Sequence, residues 1–500
     1  MTVPEHFIGL DLGTTGVRAV VFDAGARVLG EATREYPLHT PRPGWAEQDS
    51  REVTEGALAC LRSAVRKSKL ARGVLVAIGV SGTFHSVLPV DGEGRPLGRG
   101  LIWADTRAGA ESDAIRDQFD VQSLYERTGC PMHPMYLGPK IQWLTREFGA
   151  SAGYRSIKEQ VLFNLTGIQA CDRSVASGSG LLNMATGTWD DEMLSIAGVS
   201  ARQLGDIVET TSSLGTLLPD IARAIGISPR SPVIVGAGDG VLASLGAGTI
   251  GPGQMTATIG TSGAVRLLSD SPKVDAQRRT WCYYLAPNRW VVGAAINNAG
   301  IASRWTAEKL LRTGPRQYDR LVEWASQADV GAGGLLFLPF LTGERAPFWN
   351  ADARGVMFGL AIDHDHRHIA RATLEGICFR MRSIFEALVD VSGGVTEIRA
   401  TGGFTRSPFW LQLLADVLQQ PLRIPSVQEA SSLGAAEMAM IGSGALRDFD
   451  DVRQFVTASA PIEPNRDVSD QYQRLHGLYM DVYWRLTEQF HQIAAIQRGE

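Results

Sequence analysis

The sequence predicts an α/β protein of two similar halves facing each other across a cleft, and three observations predict it. A short apolar strand, a Gly-Thr turn and a β-branched strand open the chain at residues 7–22. The same pattern returns at 255–268, half a chain length later. A strand leading into a glycine-bearing turn also occurs twice, at 75–85 and 397–405. Each half therefore carries a hairpin followed by a further strand in the same order, as related topologies require.

Five hundred residues, 44% apolar and 20% charged, can bury a large core and divide into two or three domains. The formal charge of −5, with Lys and Arg scattered, leaves no basic footprint for nucleic acid or an anionic membrane. Cys60, Cys130, Cys171, Cys282 and Cys378 stand far apart, without the pairing of a zinc site or disulfide framework, which points to a reducing compartment. The N-terminus lacks the basic and apolar regions of a signal peptide, and no apolar run approaches roughly 18 residues. A soluble cytoplasmic protein is expected.

Residues 7–12 read as a buried strand, Gly13-Thr14-Thr15-Gly16 as its turn, and 17–22 as a second strand because it is β-branched and aromatic. A dinucleotide-binding opening would lead from its glycines into a helix instead. Helices are expected at 140–147, 200–207 and 221–225, and residues 232–235 form a short strand feeding a glycine-rich loop, 236–240, that carries Asp239. The first half ends near Gly251-Pro252-Gly253, dividing the chain into 1–250 and 251–500. Beyond it, 370–389 is a long helix, Ser407-Pro408 start a helix to about residue 418, and the tail 467–496 is helical.

Backbone N–H groups that converge on a phosphate need Gly to open the chain and small hydroxyl residues to add donors. Gly13, Thr14 and Thr15, and again Gly260, Thr261 and Ser262, supply both at matching places. Singly each is an ordinary hairpin turn. As a pair they are expected to hold one polyphosphate across the cleft, with Arg18 adding charge. Asp11 ends an otherwise apolar strand, where a carboxylate is costly unless it meets a cation or donors. It reads as an acceptor for Mg2+ through water, or as an Asx turn closing the loop. Asp239, set among Gly236, Gly238 and Gly240, reads as an acid exposed in an open pocket and suited to take a hydroxyl proton during phosphoryl transfer. A turn-forming Asp is the alternative. Gly402 and Gly403 would let a flat nucleoside lie close, or are simple loop chemistry.

These motifs together resemble the FGGY carbohydrate kinases over roughly residues 7–440. The most specific match is Gly355-Val356-Met357-Phe358-Gly359-Leu360, then seven residues, then His368-Ile369-Ala370-Arg371-Ala372-Thr373-Leu374-Glu375. It fits the family's C-terminal signature at every constrained position. The second part of the other signature is matched from Lys140 to Glu147, while Leu137 stands where a small residue or Pro is usual.

The resemblance implies two actin-like (ribonuclease H-like) ATPase domains around a central cleft, and transfer of the ATP γ-phosphate to a hydroxyl of a small sugar or sugar acid. It implies ATP and Mg2+, Asp239 as catalytic base, and Asp11 with Asp239 as acids facing the ion through water. Gly293, Asn297, Asn298, Gly402, Gly403 and Ser407 would line the nucleotide pocket. Phe84, His85, Trp103, Asp105, Arg107 and His133 would contact the sugar on the first half, and the loop 341–347 would lie near the cleft. Glycerol kinases carry Arg-Glu at the place of Phe84-His85, whereas xylulokinases and gluconokinases carry Met-His. Residues 127–135 look more like gluconokinases. Gluconate is thus the favoured acceptor, with D-xylulose or another ketopentose or polyol as the alternative, and a carboxylate would benefit from Arg107 or His133. His85 and His133 are otherwise satisfied loop histidines. Family members are often dimers. The rival class is an actin- or chaperone-like ATPase without a sugar substrate, against which the sugar motifs stand.

Overall fold

A computed structural model describes residues 4–314, 317–427 and 429–499. Met1, Thr2 and Val3, which belong to the N-terminus read above for a signal peptide, lie outside the described residues. The first large sheet is built from β1 (His6–Leu12), β2 (Gly16–Asp23), β3 (Val28–Glu35), β4 (Val76–Gly82), β5 (Ser213–Thr216) and β6 (Pro232–Gly238), in the order β5-β6-β4-β1-β2-β3. β1, β2 and β3 form an antiparallel meander, and β4 and β6 continue parallel to β1.

The second sheet repeats the plan with β7 (Gln254–Ile259), β8 (Gly263–Ser269), β9 (Trp281–Ala286), β10 (Arg289–Ile296), β11 (Glu397–Thr401) and β12 (Leu422–Arg423). Its order is β9-β10-β8-β7-β11-β12, so β10-β8-β7-β11-β12 matches β3-β2-β1-β4-β6 strand for strand. Both predicted hairpins are present in register, with Asp11 opposite Arg18 and Thr258 opposite Ala264.

Helices cover the sheets because the strands are apolar on both faces. α1 (Ser50–Ser68) starts where Asp49 accepts from the Arg51 N–H and ends at Lys69 in the left-handed region, with Glu52 in its first turn and Arg66 and Lys67 in its last, as the helix dipole favours. Its Val53, Ala57 and Leu61 pack with Ile8, Leu10 and Val80. Each such side chain contributes roughly 1.5–3 kcal/mol on burial. α2 (Leu137–Phe148), α3 (Ile157–Thr166) and α4 (Arg173–Gly178) complete the first half. α5 (Asp239–Gly246) ends the first half; in the second half come α6 (Gly300–Trp305) and α7 (His366–Ser392), which lays Ile377, Met381 and Ile384 against Val265 and Leu267. α8 (Pro408–Leu418) begins as expected, with the Ser407 hydroxyl accepting from the Trp410 N–H.

The halves exchange helices. α9 (Ala430–Gly442) comes from late in the chain yet seats Leu433, Ala436 and Met440 against Phe7, Val20 and Ile234 of the first sheet. α5, from the first half, clusters Val241, Leu242 and Leu245 with Leu268, Tyr283 and Val291 of the second. Gly9 and Gly79, side by side on β1 and β4, make the α9 contact feasible. A Cβ at Gly79 would lie 1.8 Å from the Ala435 carbonyl oxygen, so any side chain there would lift the helix off the sheet.

Two local expectations are corrected. The helix expected at 200–207 shrinks to Ala201–Leu204, and Ile207 instead pairs with Cys171 in a short parallel ladder. The loop expected at 236–240 does not form: β6 runs to Gly238 and α5 begins at Asp239. All five cysteines are buried and free, and among the described residues no helix is long and apolar enough to cross a membrane.

Candidate active site

The ends of three parallel strands bring the acids together. Asp11 on β1 stands beside Ser81 on β4, which stands beside Ala237 on β6, two residues before Asp239. The Ser81 hydroxyl donates to Asp11 Oδ1 at 2.6 Å, so Asp11 is held by a neighbouring strand and closes no Asx turn. Burial raises its pKa, while Ser81 and Arg18 pull it back. Asp239 is half-buried at the first residue of α5, and its Oδ1 accepts from the Gly240 N–H at 2.7 Å. Its pKa is pushed up to about 6, by burial first and by the Asp11 charge second, against the opposing charge of Arg266.

The glycines around Asp239 serve a different end from the open pocket expected. A Cβ at Gly238 would lie 2.0 Å from the Phe84 ring and one at Gly240 would lie 3.0 Å from Arg266 Nε. They admit a ring and a guanidinium from opposite halves, and the acid sits between them.

Both Gly-Thr turns have their carbonyls tied down. Gln48 Nε2 donates to the Gly13 and Thr14 carbonyls, the Tyr36 hydroxyl donates to the Gly13 carbonyl, and the Tyr36 N–H donates to the Thr15 carbonyl at 3.1 Å. Trp103 Nε1 donates to Thr14 Oγ1 at 3.0 Å. In the second turn, the Gly260 and Thr261 carbonyls accept from the Gly300 and Ile301 N–H groups at the start of α6, at 2.9 and 3.0 Å. Among the described residues the N–H groups of Thr14, Thr15, Thr261 and Ser262 have no acceptor, the state expected of a phosphate cradle. Arg18 is paired with Glu429, and its Nε donates to Thr33 Oγ1.

A cavity of about 740 Å3 opens beside the second turn. Gly260, Thr261, Gly403 and Ser407 line it, joined by Gly300, Ser303, Arg304, Tyr318, Val322 and Trp410, which sequence reading did not single out. Gly402 lies next to it in the left-handed region at φ 100°. Three residues expected there lie elsewhere. Gly293 is buried in mid-strand, where a Cβ would meet the Trp281 ring. Asn297 and Asn298 bind the loop 342–345: Asn297 Oδ1 accepts from Arg345 Nε at 2.7 Å, and Asn298 Nδ2 donates to the Gly343 carbonyl at 2.8 Å.

Next to Asp239 a buried aromatic cluster draws on both halves. Phe84 lies 4.8 Å from Tyr283, ring centre to ring centre. His85, at φ 62°, donates from Nδ1 to the Gly178 carbonyl at 2.7 Å, and its Nε2 accepts from the Tyr283 hydroxyl at 3.3 Å. Burial, reinforced by Lys140, keeps His85 neutral. Lys140 is fully buried and donates to the carbonyls of His85 and Ile102 at 2.8 and 2.6 Å, tying together the loops that carry His85 and Trp103. The His133 ring sits 5.4 Å from that of Trp349, and its Nδ1 accepts from the Met135 N–H. Burial, with Arg345 nearby, pushes its pKa down to about 3, so it carries no charge. The Arg345 guanidinium lies 4.9 Å from the Trp103 ring.

Asp105 and Arg107 depart from the expectation of sugar contacts. Asp105 is wholly buried, Arg107 Nη2 donates to it at 2.6 Å and to Glu47 at 2.8 Å, and the guanidinium stacks 3.6 Å from Trp45. Their charges are satisfied inside the fold, so neither reaches a ligand.

Comparison with known proteins agrees with this arrangement. Residues 6–246 match the N-terminal domain, and residues 255–443 the C-terminal domain, of the FGGY family of carbohydrate kinases. The chain is 36% identical to a gluconokinase of Bacillus subtilis (strain 168), over 99% of each chain. A gluconate kinase structure from Lactobacillus acidophilus superposes with a TM-score of 0.92 at 31% identity, covering 98% of this chain and 100% of that one. A ligand-bound xylulose kinase structure from the same organism has the same TM-score and identity, over 98% and 99%. The duplicated sheets are therefore two actin-like ATPase domains, and ATP is the phosphoryl donor to a small sugar. With turns, acids and signatures all in place, the chain belongs to the FGGY family of carbohydrate kinases.

Proposed function

We propose that this enzyme phosphorylates gluconate, a reading supported by its full-length likeness to gluconokinases and carried by one observation. That observation, which carries the phosphoryl transfer itself, is the meeting of Asp239 with Asp11 and Arg266 where the two halves join. Residues 251–500 would hold most of the nucleotide, with its base side in the cavity beside Gly403 and its phosphates between the two turns. Residues 1–250 would hold most of the acceptor, with Tyr283 and Arg345 closing the pocket from the second half.

Asp239 takes the proton from the acceptor hydroxyl as its oxygen bonds to the γ-phosphorus, while the bond to the bridging oxygen of ADP breaks. Arg266 faces the charge that develops there. Mg2+ keeps several waters and takes few carboxylates. Asp11 and Asp239 fit it, since their charges repel and Asp11 Oδ2 accepts no hydrogen bond among the described residues. When bound, the ion would neutralise charge on the phosphates. The reacting pocket must exclude water, because bound ATP would otherwise hydrolyse.

The base must be ionised to act. Its folded pKa is raised to about 6, so kcat/KM is half its full value near pH 6, levels off about one unit above that and falls towards tenfold per pH unit below it. A pH profile that stays flat down to pH 4.5 would remove Asp239 from that limb. The substrate is tested by ADP formation with gluconate, D-xylulose, L-ribulose, glycerol and erythritol. Gluconate should give the highest kcat/KM. No response to gluconate would overturn the choice, and ADP release that no sugar stimulates would favour a partner-driven ATPase.

A further inference from the structure

We infer that Arg345 is the residue that reads the acceptor's carboxylate, an inference that rests on the gluconate reading above. A sugar acid carries a negative charge that a ketose or polyol lacks, and burying it requires a cation or donors at its own end of the pocket. The cations expected from the sequence do not supply one. Arg107 is committed to Asp105 and Glu47, and His133 is neutral in its buried setting.

Among the described residues four other cations stand near these groups, and one of them, Arg116, is paired with Asp113 and donates to the Met132 carbonyl. Lys140 donates to two backbone carbonyls and is wholly buried behind the loops it joins. Arg266 faces Asp239 and so belongs to the reacting end, where phosphate charge moves. Arg345 remains, and its surroundings fit a ligand charge. Its Nε donates to Asn297 Oδ1 at 2.7 Å and its Nη2 to the Ile296 carbonyl at 3.3 Å, which hold the guanidinium plane. Its Nη1 has no acceptor among the described residues.

The neighbouring acid, Glu344, attracts the Arg345 charge but makes no side-chain hydrogen bond to it. Glu344 Oε1 accepts from the backbone N–H groups of Asn297 and Arg345, at 2.6 and 2.9 Å, and its Oε2 pairs with the buried Arg380 at 3.5 Å. The charge of Arg345 is also felt by His85, His133, Tyr283 and Arg266, which come from both halves of the chain. Arg266 and Arg345 repel each other, and although the charges of Asp239 and Glu344 act on them, neither guanidinium is hydrogen-bonded to a carboxylate, which leaves Arg345 Nη1 to meet an anionic acceptor.

The test compares gluconate with D-glucitol, its uncharged alcohol counterpart, by calorimetric dissociation constants in the presence of ADP. Arg345→Gln keeps a hydrogen-bonding group near Asn297 without the charge. It should weaken gluconate about 100-fold and D-glucitol less than about threefold. Arg345→Lys should recover at least about tenfold of the gluconate affinity, and should itself favour gluconate over D-glucitol if the Gln variant fails to fold. Equal losses for both ligands, or a selective loss of gluconate in Arg266→Met and not in Arg345→Gln, would overturn the assignment. Wild-type turnover separates the two failures. If wild type phosphorylates gluconate and these variants do not discriminate, Arg345 is wrong and the substrate stands; if wild type ignores gluconate, the substrate reading itself fails.

Discussion

Asp239→Asn lowers kcat for sugar phosphorylation by roughly 10²- to 10⁴-fold and leaves ATP binding nearly unchanged. The amide oxygen can still accept from the Gly240 N–H, so the start of α5 keeps its shape. What is lost is the group that accepts the hydroxyl proton. The acid limb near pH 6 should disappear with it, because the titrating carboxyl is gone. Single-turnover kinetics alongside a nucleotide titration would show both effects. Near-normal turnover would exclude Asp239 as the base.

Lys158→Met should be the most damaging change outside the cleft. Its ammonium donates to Asp172 Oδ2 at 2.8 Å and to the Ala237 carbonyl at 3.1 Å, and neither charged side chain has any exposure. Asp172 Oδ1 in turn accepts from the Val175 N–H to start α4, and the Ser174 hydroxyl on that helix accepts from the Gly238 N–H at 3.3 Å. The strand end that delivers Asp239 is therefore held at both residues before it. Removing the ammonium leaves Asp172 as an unpaired buried charge, a loss of about 3–5 kcal/mol. For a half of this size that lowers Tm by roughly 10 °C. kcat should fall further than the KM for ATP rises, since the nucleotide contacts lie on the other half. Calorimetry and steady-state kinetics decide it, and a variant with unchanged Tm and full kcat would show that the pair holds nothing in place. Adding Asp172→Asn should restore part of the stability, because the stranded charge is then removed.

The duplicated hairpins were legible because strand composition and Gly-Thr turns are local signals, and both halves formed where the pattern repeats. The neighbourhood of Asp11 and Asp239 was only partly legible: Asp11 was read at the end of its apolar strand, whereas Asp239 was read in a loop and instead starts a helix. Other features depend on contacts far apart in sequence. The resemblance put the loop 341–347 near the cleft, but what sets Arg345 apart within it is its approach to Trp103, more than 200 residues away in the chain. Asp105 and Arg107 looked like ligand contacts because a polar pair facing a sugar and a polar pair facing each other have the same composition. Only the burial against Trp45 and Glu47 separates the two cases. The glycines at 236–240 suggested a loop, whereas their small size serves close packing against Phe84 and Arg266. The return of α9 to the first sheet was likewise out of reach, since an Ala- and Gly-rich helix could pack on either half.

The most direct test is a crystal structure of the Asp239→Asn enzyme with ATP, Mg2+ and gluconate, a complex the variant should stall before transfer. The account predicts the β- and γ-phosphates between the Thr14–Thr15 and Thr261–Ser262 N–H groups, with a gluconate hydroxyl beside residue 239. Phosphates bound by only one turn, or an acceptor lying away from residue 239, would contradict it.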